Sequence, residues 1–230
     1  MTHPPLDPAP LAARALDYIV DGAVVGLGTG HAAEAFLQAL AERVRAGFRV
    51  RGVPTSVATE QLARGAGVPL MSIDEVSSID IAVDGADEVS PAGDLIKGYG
   101  GALVREKVVA RLARRLLILV GEEKRVPVLG HRGRLPVEVV PFAIGPVGRA
   151  IAGLGFPSEQ RKTEDGVRFV SDNGNWILDA GVGDLSDPAA LDAVLRSIPG
   201  VVGTGLFLGF GPTVLVQSGT TVTEFQTSRG

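Results

Sequence analysis

Short apolar runs alternate with stretches of helical period through the first half of the chain. Residues 23–27, 48–53, 79–83 and 116–120 read as strands, the third with Asp80 set inside it. Between them, residues 11–20, 31–46, 56–64 and 104–114 read as helices. In the second of these, Phe36, Leu37, Leu40 and Val44 fall on one face, the spacing of an amphipathic helix. Mostly apolar strands alternating with helices predict a mostly parallel, Rossmann-like α/β sheet with helices on both faces.

The texture changes near residues 130–136. A strand is expected at 137–140, a helix at 146–154, and a hairpin joining 159–162 to 168–170 across Thr163-Glu-Asp-Gly166. A turn at Asp172-Asn-Gly-Asn175, a strand at 176–179, a helix at 188–197 and a strand at 201–206 follow. Neighbouring strands with short turns predict an antiparallel sheet, and so a smaller α+β domain. The expected division is residues 1–130 with 207–230 for the Rossmann-like domain and 131–206 for the smaller one. The apolar run 213–216 is expected to return to the first domain.

Composition narrows the function classes. The 230 residues are 45% hydrophobic and 21% charged, with a net charge of −4, which gives no support for a nucleic-acid partner. Arg111, Arg114 and Arg115 form the only basic cluster and read as a solvated helix face. Without cysteine there is no disulfide framework, thiol nucleophile or thiolate metal site. Residues 1–10 carry four prolines and read as an extended leader with no signal peptide, and no run is long enough to span a bilayer. A cytoplasmic protein with no membrane partner is the expectation.

Candidate chemistry begins at Gly26-Leu-Gly28-Thr29-Gly30-His31-Ala32-Ala33, between a predicted strand and a predicted helix. Glycines allow a tight turn, and a helix start offers free N–H groups to an anion, so a phosphate-binding loop is the functional reading. A ligand-free tight turn is the alternative. The run also fits Gly-x-Gly-x-x-Ala, but the acid expected about twenty residues on is absent: Arg49-Val-Arg51 stands there. A nicotinamide cofactor is therefore disfavoured.

Asp84-Gly85-Ala86-Asp87-Glu88 follows directly on the 79–83 strand, at the strand end where open parallel sheets bind ligands. An exposed acidic turn or a metal site would also account for three clustered carboxylates. No histidine lies near them in sequence, the three being His3, His31 and His131. Next, Lys97-Gly98-Tyr99-Gly100-Gly101 leads into a helix with Glu106 near its first turn. Bases, one cation and hydroxyl-binding carboxylates suit proton abstraction beside a carbonyl with oxyanion stabilisation, as in aldose–ketose isomerisation.

At these residues the chain resembles the A-type ribose-5-phosphate isomerase family. The matching stretches are Val25-Gly-Leu-Gly-Thr-Gly30, Pro54-Thr-Ser-Val-Ala-Thr-Glu60, Asp84-Gly-Ala-Asp-Glu88, Leu95-Ile-Lys-Gly98 and Gly100-Gly-Ala-Leu-Val-Arg-Glu-Lys107. They continue through Leu135-Pro-Val-Glu-Val-Val-Pro141, Asp172-Asn-Gly-Asn175 and Ile198-Pro-Gly-Val-Val202. The resemblance implies cofactor-free interconversion of D-ribose 5-phosphate and D-ribulose 5-phosphate in a homodimer or dimer of dimers. It implies that Glu106 shuttles the proton through an enediolate, that Asp84 and Asp87 handle hydroxyls and ring opening, and that Lys97 stabilises the oxyanion. Lys124 would sit against the substrate, with Gly28, Thr29, Gly30, His31, Ala32, Gly85, Ala86, Gly98, Tyr99 and Gly100 lining its site. No metal is implied.

The chain departs from the family pattern in three places. His31 and Ala32 replace the Ser-Thr pair whose hydroxyls bind phosphate; residues 9–14 lack the family's phosphate-reaching lysine; and Tyr99 replaces a common glycine. A different phosphosugar substrate is one alternative. A non-catalytic sugar-phosphate-binding domain is another, though such a domain would be expected to lose Glu106. An acyl or coenzyme A transferase using Glu106 as nucleophile leaves Asp84, Asp87 and Lys97 without a role.

Overall fold

A computed structural model describes residues 7–227. Numbered along the chain, the elements begin with α1 (Ala9–Leu16), β1 (Ala23–Leu27), α2 (His31–Arg45), β2 (Val50–Pro54), α3 (Val57–Gly65) and β3 (Ile79–Gly85). Next come β4 (Glu88–Val89), β5 (Leu95–Ile96), α4 (Leu103–Leu112) and β6 (Ala113–Gly121). The remainder is β7 (Leu135–Val139), α5 (Ile144–Gly153), β8 (Ser158–Gln160), β9 (Trp176–Ala180), α6 (Pro188–Ser197) and β10 (Val201–Thr204). Three further strands close the chain: β11 (Leu206–Phe207), β12 (Thr213–Ser218) and β13 (Thr221–Gln226). The expected leader lies outside the described residues as far as position 6. Helix α1 begins earlier than expected, because Pro10 falls in its first turn, where a missing N–H costs nothing.

The chain divides into two compact units. The first comprises the described residues up to Ala86, Arg105–Lys124, and those from Gly209. Its six-stranded sheet has the order β13-β12-β6-β3-β1-β2, parallel except for β13. Val25 and Leu27 of β1 join Leu11, Leu16, Phe36, Leu37 and Leu40 in one core cluster with α1 and α2. Each such fully buried side chain stabilises the fold by roughly 1.5–3 kcal/mol. The opposite face of β1 is covered by α4. A Cβ at Gly26 would lie 2.6 Å from Val109 Cγ1, so glycine is what lets that helix approach.

The second unit, Asp87–Val104 with Arg125–Leu208, holds two antiparallel sheets, β10-β7-β9-β8 and β11-β5-β4. Ile96, Val137, Val139, Val147, Ile151, Leu178 and Leu195 share its core with Leu206. The α/β class with a smaller antiparallel α+β part is therefore present. The boundary differs from the sequence expectation, since residues 87–104, 125–130 and 207–208 group with the second unit. Strand β5 pairs with β11 on one side and β4 on the other, and the fully buried Glu88 carboxylate accepts from the amides of Gly130 (2.6 Å) and Arg132 (2.7 Å).

The expected hairpin at 159–170 is present in short form: Lys162 and Arg168 make an antiparallel bridge flanked by Phe169 N–H to Arg161 O (3.0 Å) and Thr163 N–H to Val167 O (2.7 Å), while Ser158–Gln160 pairs with β9. Strand β13 was not anticipated; it returns antiparallel to β12 across Gly219-Thr220, with glycine in the left-handed conformation (φ 60°) at the first turn position. No helix among the described residues is long and apolar enough to cross a membrane.

Candidate active site

In the first unit β1 has β2 on one side and β3 on the other, so the β1–α2 loop leaves the sheet where the strand order reverses. Open sheets bind ligands at that point, beyond the carboxyl ends of the strands. Gly28 N–H donates to Val83 O at 2.9 Å and Thr29 N–H to Asp84 Oδ1 at 3.1 Å, which ties the loop to the end of β3. Thus Gly28, Thr29 and Asp84 come together as the motifs suggested, and Asp84 is only 3% exposed.

The Thr29 hydroxyl enters a network of hydroxyls. It donates to Ser56 Oγ (2.8 Å), Ser56 Oγ donates to Thr59 Oγ1 (2.9 Å), and Thr59 Oγ1 donates back to Gly28 O (2.9 Å). Thr55 Oγ1, 2.9 Å from Thr29 Oγ1, donates to Leu27 O at 3.0 Å. Four hydroxyls thereby lock the loop to the start of α3, where Ser56 caps the Thr59 amide. Sequence reasoning assigned Thr55, Ser56 and Thr59 no role of their own, although all lie in one of the family-like stretches.

At the start of α2, Gly30 takes φ 103° and its carbonyl accepts from Glu34 N at 2.8 Å. The amides of His31, Ala32 and Ala33 have no hydrogen-bond partner among the described residues. This open end of a fifteen-residue helix favours an anion. The His31 side chain is exposed beside it.

Glu106 lies in the first turn of α4 and is 5% exposed. The helix runs back toward Ala113, which pairs with Ile79 at the amino end of β3. Val109 covers Gly26, so Glu106, one turn earlier, lies toward the carboxyl edge of the sheet, the edge that carries Asp84 and the glycine loop. Lys124, half-buried, ends the turn Glu122–Lys124 that follows β6 on that edge.

Gly85 and Ala86 carry the chain from Asp84 to Asp87, where the second unit begins. There Asp87 Oδ2 accepts from Tyr99 N–H at 2.9 Å, so the second acid of the pair meets the glycine loop after Lys97. Lys97 itself is 3% exposed, its N–H donates to Gly205 O at 2.9 Å, and its Nζ lies 5.6 Å from the centre of the Phe207 ring. Gly98 is buried and Gly100 exposed. Tyr99 turns its hydroxyl to Arg134 O (3.1 Å), with the Arg134 guanidinium 4.8 Å from its ring centre. Burial, then the charges of Asp87 and Glu88, pushes the phenol up to about 12. It therefore stays neutral at ordinary pH. Among the described residues no group of three or more His, Asp or Glu is placed to hold a metal ion.

The sequence pattern of the family described as "Ribose 5-phosphate isomerase A (phosphoriboisomerase A)" matches residues 51–220. The chain is similar to the ribose-5-phosphate isomerase A of Bradyrhizobium diazoefficiens, with 47% identity over 90% of each chain. It is similar to that of Thermomicrobium roseum, with 48% identity over 95% of this chain and 93% of the relative. Among solved structures, ribose 5-phosphate isomerase A from Methanocaldococcus jannaschii superposes with a TM-score of 0.91 at 37% identity, covering 96% of this chain and 98% of the other. A D-ribose-5-phosphate isomerase solved in complex with phospho-erythronic acid gives a TM-score of 0.92 at 36% identity, covering 95% and 97%.

Proposed function

The chain belongs to the ribose 5-phosphate isomerase A family, and from that premise we propose that it interconverts D-ribose 5-phosphate and D-ribulose 5-phosphate with Glu106 as the base. The observation that carries this reading is the position of a buried glutamate on the sheet edge that also bears Asp84 and an open helix end suited to phosphate. The complex of a related isomerase with phospho-erythronic acid supports a sugar phosphate as ligand.

In the proposed reaction the phosphate rests on the amides at the start of α2, with His31 beside them. Asp84 and Asp87 hold substrate hydroxyls and assist ring opening. The Glu106 carboxylate then removes the proton from C2 of the open-chain aldose, and charge develops on the C1 oxygen to give the enediolate. Lys97 stabilises that oxyanion. Glu106 returns the proton to C1, the hydroxyl proton passes from O2 to O1, and C2 becomes the ketone carbon. Every proton and electron pair is accounted for within the substrate and one carboxylate. A homodimer or dimer of dimers in the cytoplasm belongs to the same reading and rests on the family resemblance; light scattering of the purified protein checks the oligomer.

The decisive measurement is interconversion of the two phosphopentoses, alongside other phosphosugars, by wild type and Glu106→Gln. The amide keeps the shape and loses the base, so kcat should fall by ~10²–10⁴ while sugar-phosphate binding persists. In D₂O the wild type should place deuterium at the product carbon. A Glu106→Gln enzyme with wild-type turnover would sink the assignment.

A further inference from the structure

We propose that Arg161 is a positioning residue for the isomerase reaction, fixing the backbone of Gly98 and Tyr99 and thereby the loop that follows Lys97. The inference rests on the reading of Lys97 and its glycine loop as part of the active site.

Arg161 follows β8, and its backbone is held on both sides, with its N–H donating to Ile177 O (2.9 Å) and its carbonyl accepting from Phe169 N–H (3.0 Å). Its side chain is 6% exposed. Nε donates to Asp179 Oδ2 at 2.9 Å and Nη2 donates to Asp179 Oδ1, a two-pronged pairing that neutralises the buried cation. The remaining prong is directed at the loop: Nη1 donates to Gly98 O at 2.8 Å and to Tyr99 O at 3.0 Å. Asp179 accepts from Arg134 as well, at 2.9 Å, so the anchor is braced from a second side.

These bonds act on a segment that holds itself by a turn bond, Gly101 N–H to Gly98 O at 3.0 Å. Gly98, Gly100 and Gly101 have no side chains to pack, and glycine backbones are the most permissive. The peptide joining Gly98 to Tyr99 is gripped at both ends, its carbonyl by Arg161 and its N–H by Asp87. In a trans peptide these groups point in opposite directions, so the plane cannot turn over without losing both bonds. Likewise, holding the Tyr99 carbonyl aims the exposed Gly100 N–H away from Arg161. Phe169 completes the seat: a Cβ at Gly101 would lie 2.3 Å from its Cζ, and its ring centre is 5.7 Å from the Arg161 guanidinium carbon. A lysine at 161 would keep the charge and lose the planar fork that reaches the carboxylate and two carbonyls together.

The test compares Arg161→Ala, Arg161→Lys and Asp179→Asn with wild type. Misplacing reacting groups by about an ångström costs on the order of 10²-fold in rate, so Arg161→Ala should lose about that much kcat with a far smaller change in KM. Millimolar guanidinium ion should restore most of the lost kcat in Arg161→Ala, whereas ammonium should not. Arg161→Lys keeps the charge and guards against a variant that does not fold; its kcat should also fall, and Asp179→Asn should move kcat the same way by less. Amide hydrogen exchange at Tyr99 and Gly101 of the ligand-free protein should accelerate in Arg161→Ala and Arg161→Lys. A folded variant with wild-type kcat, a loss confined to KM, failure of guanidinium rescue, or unchanged exchange at those amides would each overturn the proposal. An inactive wild type would refute the isomerase reading alone, since the exchange measurement still decides whether Arg161 holds the loop.

Discussion

Gly28 and Asp84 exclude each other's growth: a Cβ at position 28 would lie 2.3 Å from Asp84 Oδ1 and 2.6 Å from its Cα. Because one of those atoms is backbone, no rotation of the Asp84 side chain relieves the overlap. The first glycine of the loop is therefore required by the carboxylate at the end of β3. Gly28→Ala should displace Asp84 or the loop, lowering kcat/KM by ~10²-fold and stability by ~1–3 kcal/mol. Steady-state kinetics with a thermal melt checks both, and an alanine variant with normal kcat/KM would show that Asp84 need not stay where it is.

Lys97→Ala should lower kcat more than it raises KM. A cation that meets the oxyanion only as charge develops contributes to the transition state rather than to the bound substrate. Loss of such a partner costs ~3–4 kcal/mol. A change confined to KM would make Lys97 a phosphate or hydroxyl ligand instead.

His31 stands exposed at the open start of α2, where the family pattern has a hydroxyl. His31→Ala should raise KM by about tenfold, the lower end for a hydrogen bond to a charged group, and leave kcat unchanged. His31→Ser, which returns a hydroxyl, should recover part of the loss. If neither variant moves KM, the backbone amides alone hold the phosphate.

Acid sensitivity should trace to Asp179. Burial by itself would raise its carboxyl, but hydrogen bonds from Arg161 and Arg134 outweigh burial and hold it below the usual carboxylate range. A depressed folded-state pKa gives stability that is complete above the unfolded value of ~3.9 and disappears as pH falls through the folded value. Asp179→Asn should therefore cost about 3 kcal/mol near neutral pH. Melts over a pH series should show the gap between variant and wild type closing below pH ~4. A gap independent of pH would mean that the pair's charge contributes nothing.

Much of the first unit was legible because β1 is apolar throughout, β3 and β6 each carry an apolar run, and α2 repeats at helical period. What stayed hidden has physical causes. Strands β4 and β5 are two residues each and sit among acids and glycines, so no periodicity marks them, and they shift the unit boundary. Strand β13 is an edge strand with mostly exposed side chains and carries no apolar run. Glu106, Asp84, Asp87 and Lys97 were visible as motif residues, and the fold gives Glu106 and Asp84 a common sheet edge. The direction of the Thr29 hydroxyl was not visible, because its partners Ser56 and Thr59 come from another helix start. Arg161 was missed because Gly98 and Tyr99 lie 63 and 62 residues away in the chain, and an isolated arginine in a predicted hairpin reads as a solvated charge.

Strand β12 inserts beside β6, yet residues 122–212 are made between them. During synthesis the apolar edge of β6 therefore emerges from the ribosome long before the strand that covers it. Closing so long an excursion costs little equilibrium stability, since closure entropy grows only with the logarithm of length. Its effect is kinetic: the nascent sheet presents an unpaired, fully apolar border until position 213 is out, and such borders template association between chains. Chains that stall within the inserted segment are thus the forms of this protein most in need of a chaperone.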